Sequence, residues 1–103
     1  MSNDRIARAL ELWQRFPDND LSRFSLAQAY FDTADYAHAA EHLRVLCQKK
    51  PDWMVVYILL GKCLLATGEP AQAKPILEHA LQLAVAQHHD GPREELTELL
   101  KML

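Results

Sequence analysis

The sequence predicts an all-α chain of about six antiparallel helices, and three observations carry that reading. An offset of 34 residues lays the chain on its own pattern, with Pro17 over Pro51, Leu26 over Leu60, Ala27 over Gly61, Ala34 over Gly68, Ala39 over Ala73 and Leu43 over Leu77. Within each copy the apolar residues recur at three- and four-residue steps, the spacing that turns one stripe of a helix toward a core. The composition is 50% apolar and 24% charged with only three Gly, as in a helical globular chain and unlike a disordered one. A length of 103 residues is that of one domain, in which folding buries roughly two thirds of the surface exposed by the unfolded chain.

The first element follows from Ile6, Ala9, Leu10, Trp13 and Phe16, which share one face of a helix over residues 1–16 that Ser2 or Asn3 caps and Pro17 ends. The first copy then predicts helices over 20–33 and 35–49, joined at Thr33-Ala34-Asp35. The second predicts helices over 52–67 and 69–88, joined at Gly68-Glu69-Pro70. Gly68 suits the positive φ of a helix end, and Pro70 is tolerated in a first turn because its missing donor would be unpaired there. Pro75 lies further in and removes one backbone hydrogen bond, which predicts a bend relative to the stretch around Glu41. Ala27 and Gly61 let paired helices approach closely, and Ala39 and Ala73 are expected to face them. A sixth helix over 90–103 places Leu96, Leu99, Leu100 and Leu103 on one face, with Asp90 as its cap and Glu94 and Glu95 at the positive end of the helix dipole.

The first copy carries Leu26, Ala27, Tyr30, Ala39, Leu43 and a closing Pro51, and with its 34-residue period it resembles the tetratricopeptide repeat (TPR), a helix-turn-helix unit. Departures are local: Arg23 stands where an aromatic is usual, a position Tyr57 restores in the second copy. Leu64, Pro70 and Val85 replace a Tyr, an aromatic and the closing Pro of the family pattern. The resemblance implies a right-handed helical solenoid with repeats at 18–51 and 52–85, flanked by the helix at 1–16 and a C-terminal capping helix at 90–103. Three helix pairs are about the minimum that buries a continuous core in such a stack.

Several function classes are not expected. The net charge is −3 and the 11 Lys and Arg are scattered, so no basic stripe marks a nucleic-acid partner. The start MSNDRIARAL has neither a basic nor an unbroken apolar region of the secretory kind, and the longest apolar stretch, residues 53–60, falls far short of the ~20 residues of a spanning helix. The expected location is therefore cytoplasmic, away from membranes. Cys47 and Cys63 lie on helices without a Cys-x-x-Cys spacing and read as reduced core thiols. No Gly-rich phosphate loop, Gly-x-Ser-x-Gly elbow or His-Glu-x-x-His motif is present, so no catalytic residue, cofactor or enzymatic role is expected. His38 and His42 stand one turn apart, but two ligands do not close a tetrahedral metal site, and both are expected on the outer face beside Glu41 and Arg44. His88 and His89 are expected to be solvated.

The remaining candidate comes from the resemblance. In TPR proteins the first helix of each repeat lines an inner groove that holds peptides or partner helices. Carried onto this chain, that groove comprises Leu21, Phe24, Gln28, Phe31 and Asp32 from the first repeat and Val55, Ile58, Leu59, Lys62 and Leu65 from the second. Phe24, Phe31, Ile58 and Leu65 make it apolar, with Gln28, Asp32 and Lys62 at its edge. Glu at Phe31 and Ile58 is expected to abolish capture of a protein partner without unfolding the chain. Chaperone-binding members grip a terminal carboxylate with Lys and Asn; Phe24 and Gln28 occupy those positions here, which argues against chaperone tails. The alternative is a self-associating structural protein, a homodimer for example, that uses its C-terminal helix or repeat ends. The four Leu of that helix need a surface, and the same groove can receive it, within one chain or from a neighbour.

Overall fold

The computed structural model describes residues 2–103; the side chains of Ser2 and Asn3, and with them the expected cap, lie outside the described part. Six helices follow in order: α1 (Ser2–Arg15), α2 (Asp20–Asp32), α3 (Tyr36–Lys49), α4 (Met54–Ala66), α5 (Pro70–Ala86) and α6 (Asp90–Lys101), and no strand occurs among the described residues. Each helix packs against its neighbours in sequence, and α2 also touches α4. The result is an all-α helical solenoid, as expected from the repeat.

Local chemistry sets the boundaries. Asn19 caps α2, its Oδ1 accepting from the backbone N–H groups of Leu21 at 2.9 Å and Ser22 at 3.1 Å. Asp35 caps α3 by accepting from the His38 N–H at 3.4 Å. The start of α6 differs from expectation: His89 holds the cap position without a side-chain bond, and Asp90 is already helical. Its carboxylate therefore acts on the dipole of the first turn, where Pro92 is tolerated for want of an intrahelical donor. Pro70 opens α5 as expected, and α5 continues through Pro75, leaving the Ala71 carbonyl without its helical donor.

The three turns at 33–35, 67–69 and 87–89 close in one way. Ala34 (φ 63°), Gly68 (φ 76°) and His88 (φ 58°) take the left-handed conformation. The following N–H groups, of Asp35, Glu69 and His89, then reach back five residues to Tyr30, Leu64 and Ala84 at 2.8, 2.8 and 2.9 Å. This satisfies carbonyls that a helix end would otherwise leave unpaired. Connections between repeats are of another kind: Asn19 N–H donates to the Phe16 carbonyl at 3.0 Å and, 34 residues on, Trp53 N–H donates to that of Lys50 at 3.2 Å. The α5–α6 connection takes the left-handed turn instead, after an α5 of 17 residues against 14 for α3.

The core centres on α4, in which Val56 through Gly61, Cys63 and Leu64 are all buried. A helix with neighbours on several sides has no polar face to keep, which explains its near-continuous apolar sequence. Leu26, Leu43, Leu46, Leu77 and Leu96 complete the core from the flanking helices, each fully buried. Ala27, Ala39 and Ala73 are also fully buried, but the close approach at Gly61 is made to Leu77: a Cβ there would lie 2.6 Å from Leu77 Cγ. Gly61 thus forms a notch on α4 that the Leu77 side chain of α5 fills.

Candidate functional site

The groove residues fall on α2 and α4, and the structure separates them by exposure. Leu21 is 67% exposed and Val55 38%, whereas Ile58 and Leu59 retain only 8% each and belong to the core. Phe24, Phe31 and Leu65 are half-buried. Phe24 lies against Trp53 with ring centres 5.0 Å apart, and Phe31 meets Tyr36 edge-on at 5.6 Å. The α2–α4 surface thus offers two open aliphatic side chains beside a tilted pair of aromatic rings.

Its polar members are already engaged within the chain. Gln28 Nε2 donates to Asp32 Oδ1 at 2.9 Å, while Asp32 Oδ2 pairs with Arg5 Nη1 of α1 at 2.6 Å. Lys62 Nζ of α4 meets Glu95 Oε1 of α6 at 2.7 Å. These partly exposed pairs neutralise the face and tie it to both flanking helices. Trp53, Arg5 and Glu95 escape a reading of repeat positions, because they come from a connection and from the flanking helices. At the start of α2, Asp20 bonds Lys49 at 2.7 Å, which holds its carboxyl below the usual value; Lys50 lies 3.8 Å away on its other oxygen and 5.6 Å over the Trp53 ring.

The helix α6 packs on α5 through Leu96, which is fully buried, with Leu99 and Leu100 half-buried. Leu103, expected on the same face, stays 41% exposed.

His42 departs from expectation. It is half-buried, with its ring edge-on to Trp13 at 5.1 Å, parallel to Tyr30 at 6.0 Å and with Nδ1 3.5 Å from Arg23 Nη1. The Arg23 guanidinium in turn lies over Trp13 at 5.1 Å. Burial, then the Arg23 charge, lowers the His42 pKa, against a smaller opposing pull from Glu41. Arg23, standing where the family has an aromatic, thus joins Trp13 and His42 in one cluster between α1, α2 and α3. His38 is exposed, stacks on Tyr30 at 5.1 Å and pairs with Asp35 at 2.7 Å. Among the described residues no three His, Cys, Asp or Glu side chains form a ligand set. Cys47 and Cys63 are free thiols, both pushed up to about 11 by burial, which keeps them protonated and unreactive.

The tetratricopeptide repeat family model matches residues 55–84, inside the second of the two copies. A TPR repeat-containing protein of Pseudomonas aeruginosa is 35% identical over 86 residues, spanning 84% of this chain and 82% of that one. The chain belongs to the tetratricopeptide repeat family. Anaphase-promoting complex subunit 3 of Dictyostelium discoideum is 35% identical over 80 residues, 78% of this chain but 8% of that much longer one. The solution structure of a Bordetella parapertussis protein superposes with a TM-score of 0.80 at 28% identity, covering 94% of this chain and 84% of the other. In TPR terms α4 is the first helix of the matched repeat and α5 the second. No helix among the described residues is long and apolar enough to cross a membrane.

Proposed function

We propose that this TPR chain is a non-enzymatic interaction module that binds a peptide or partner helix across the α2–α4 face. TPR repeats generally mediate protein–protein interaction, and proteins of the family are generally non-enzymatic scaffolds. The observation that carries the reading is the pair of exposed aliphatic residues, Leu21 and Val55, at equivalent positions of neighbouring helices beside the tilted Phe24–Trp53 ring pair. Exposed apolar side chains next to rigid aromatics suit a docking surface, since their burial supplies affinity at little cost in side-chain entropy. Asp32 and Lys62, engaged with Arg5 and Glu95, set the ends of the face. A cytoplasmic setting accords with the two free thiols.

The test needs variants that leave the core alone. Glu at Ile58, expected from sequence to spare the fold, would bury a carboxylate in a site only 8% exposed, so the informative double variant is Leu21→Glu/Val55→Glu. Affinity capture from lysate followed by mass spectrometry should lose a bound protein with this variant while its helical circular dichroism is unchanged. Identical captures from variant and wild type would overturn the reading.

A further inference from the structure

Two helices in the stack have a neighbour on one side only, and their free faces carry opposite charge patterns. On α1 the residues Ile6, Ala9, Leu10 and Trp13 point into the stack and are half-buried, while Arg8, Glu11, Leu12 and Arg15 form the opposite stripe and are exposed. On α6 the outward stripe is Asp90, Arg93, Glu94, Thr97 and Glu98, which together line a shallow surface cleft. Read from the C-terminal end of α1 the charges run positive, negative, positive: Arg15, Glu11, Arg8. Read from the N-terminal end of α6 they run negative, positive, negative: Asp90, Arg93, then Glu94 and Glu98. At about 1.5 Å of rise per residue, Arg15 to Arg8 spans about 10 Å and Asp90 to Glu98 about 12 Å, so the three opposite-charge positions come into register.

We infer that the free face of α6 docks on the free face of α1 of a second copy, joining molecules head to tail. Successive helices of the stack alternate in direction, so α1 of the next copy meets α6 antiparallel, the arrangement in which Asp90 faces Arg15, Arg93 faces Glu11, and Glu98 faces Arg8. The Lys101 contact to Glu98 at 3.3 Å joins two largely exposed side chains and leaves Glu98 open to a second cation. Arg5, held by Asp32, is not needed. Leu12, 42% exposed, supplies an apolar point at the centre of the α1 stripe. Because the contact joins two different faces, it does not close on itself: each copy keeps one free α1 and one free α6, and the product is an open chain. One helix face per copy is well below the about 800 Å² per partner of a standard interface, so the association is weak, reversible and governed by salt.

Sedimentation velocity of the full chain across a wide concentration range tests this. At low salt the mean mass should rise past two copies as concentration increases, and at about 1 M salt, where charges are screened beyond about 3 Å, it should return to one copy. Arg8→Glu/Arg15→Glu makes both free faces acidic and Asp90→Arg/Glu98→Arg makes both basic, so each variant alone should lose association while keeping the circular dichroism of the wild type. An equimolar mixture of the two should regain it, since every acidic face then meets a basic one. A monomer at all concentrations, a mass that stops at two copies, or a mixture that stays monomeric would overturn the inference.

Discussion

Three residues show where single side chains decide stability. His42 sits against Trp13 and Tyr30 with Arg23 beside it, so the folded chain takes up its proton less readily than the unfolded chain does. The stability its neutral ring supports is therefore intact above about pH 6.5, the usual imidazole value, and is lost as pH falls from there toward the lowered folded value. Between pH 7 and 5 the urea midpoint should fall more steeply for wild type than for His42→Phe, which keeps the ring contacts without the proton, with Trp13 emission as the probe; equal slopes would remove His42 as the source. Ala34 holds a left-handed conformation that costs a residue with a Cβ about 1 kcal/mol or more, a cost Gly68 escapes at the equivalent turn. Ala34→Gly should accordingly stabilise the chain by up to about 1 kcal/mol in chemical denaturation. At Gly61 the sign reverses: alanine's better helix propensity is outweighed by its collision with the buried Leu77, and Gly61→Ala should destabilise by about 1–3 kcal/mol.

At the scale of elements, the helices were legible because their apolar period and the 34-residue offset are properties of the sequence itself. The ends were less so wherever a boundary is set by tertiary geometry. The left-handed turn at Gly68 is announced by its glycine, whereas Ala34 and His88 adopt the same turn without one, and only the repeated hydrogen bonds reveal the equivalence. Asp90 looked like a cap because its residue type favours that role, but the turn at His88 starts α6 one residue earlier than a cap at Asp90 requires. The candidate site was legible as a set of repeat positions, while the pairing of its charges with Arg5 and Glu95 was not, since nothing in the repeat specifies the flanking helices. At Pro75 the helix α5 works against itself. Being exposed and inside α5, it withholds a donor from the Ala71 carbonyl without filling the core. Pro75→Ala should restore that bond and raise stability by about 1–3 kcal/mol in thermal or urea unfolding. No gain would mean that α5 already accommodates the proline by relaxing its first turns.

The whole molecule behaves as a short line of helices in which each supports the next. In such a stack stability is close to a sum of helix terms and nearest-neighbour interfaces, so the order of unfolding follows position in the line. The centre is α4, buried along almost its whole length and touching α2, α3 and α5, whereas α1 and α6 each rest on one main neighbour. The partly exposed Arg5–Asp32 and Lys62–Glu95 pairs contribute little individually, and beyond α2 the first helix meets the stack through the Trp13–His42 ring contact with α3. Native-state hydrogen exchange should therefore rank the amides by distance from the centre, with α4 exchanging only through global unfolding and α1 and α6 opening at lower free energy. Low denaturant should narrow the difference, because global unfolding exposes more surface than opening an outer helix and its free energy therefore falls faster. Uniform protection from α1 to α6 would mean instead that the outer helices are welded to the core, and that the Trp13–His42–Arg23 cluster at one end and Leu96 at the other hold them as firmly as α4 holds its own neighbours.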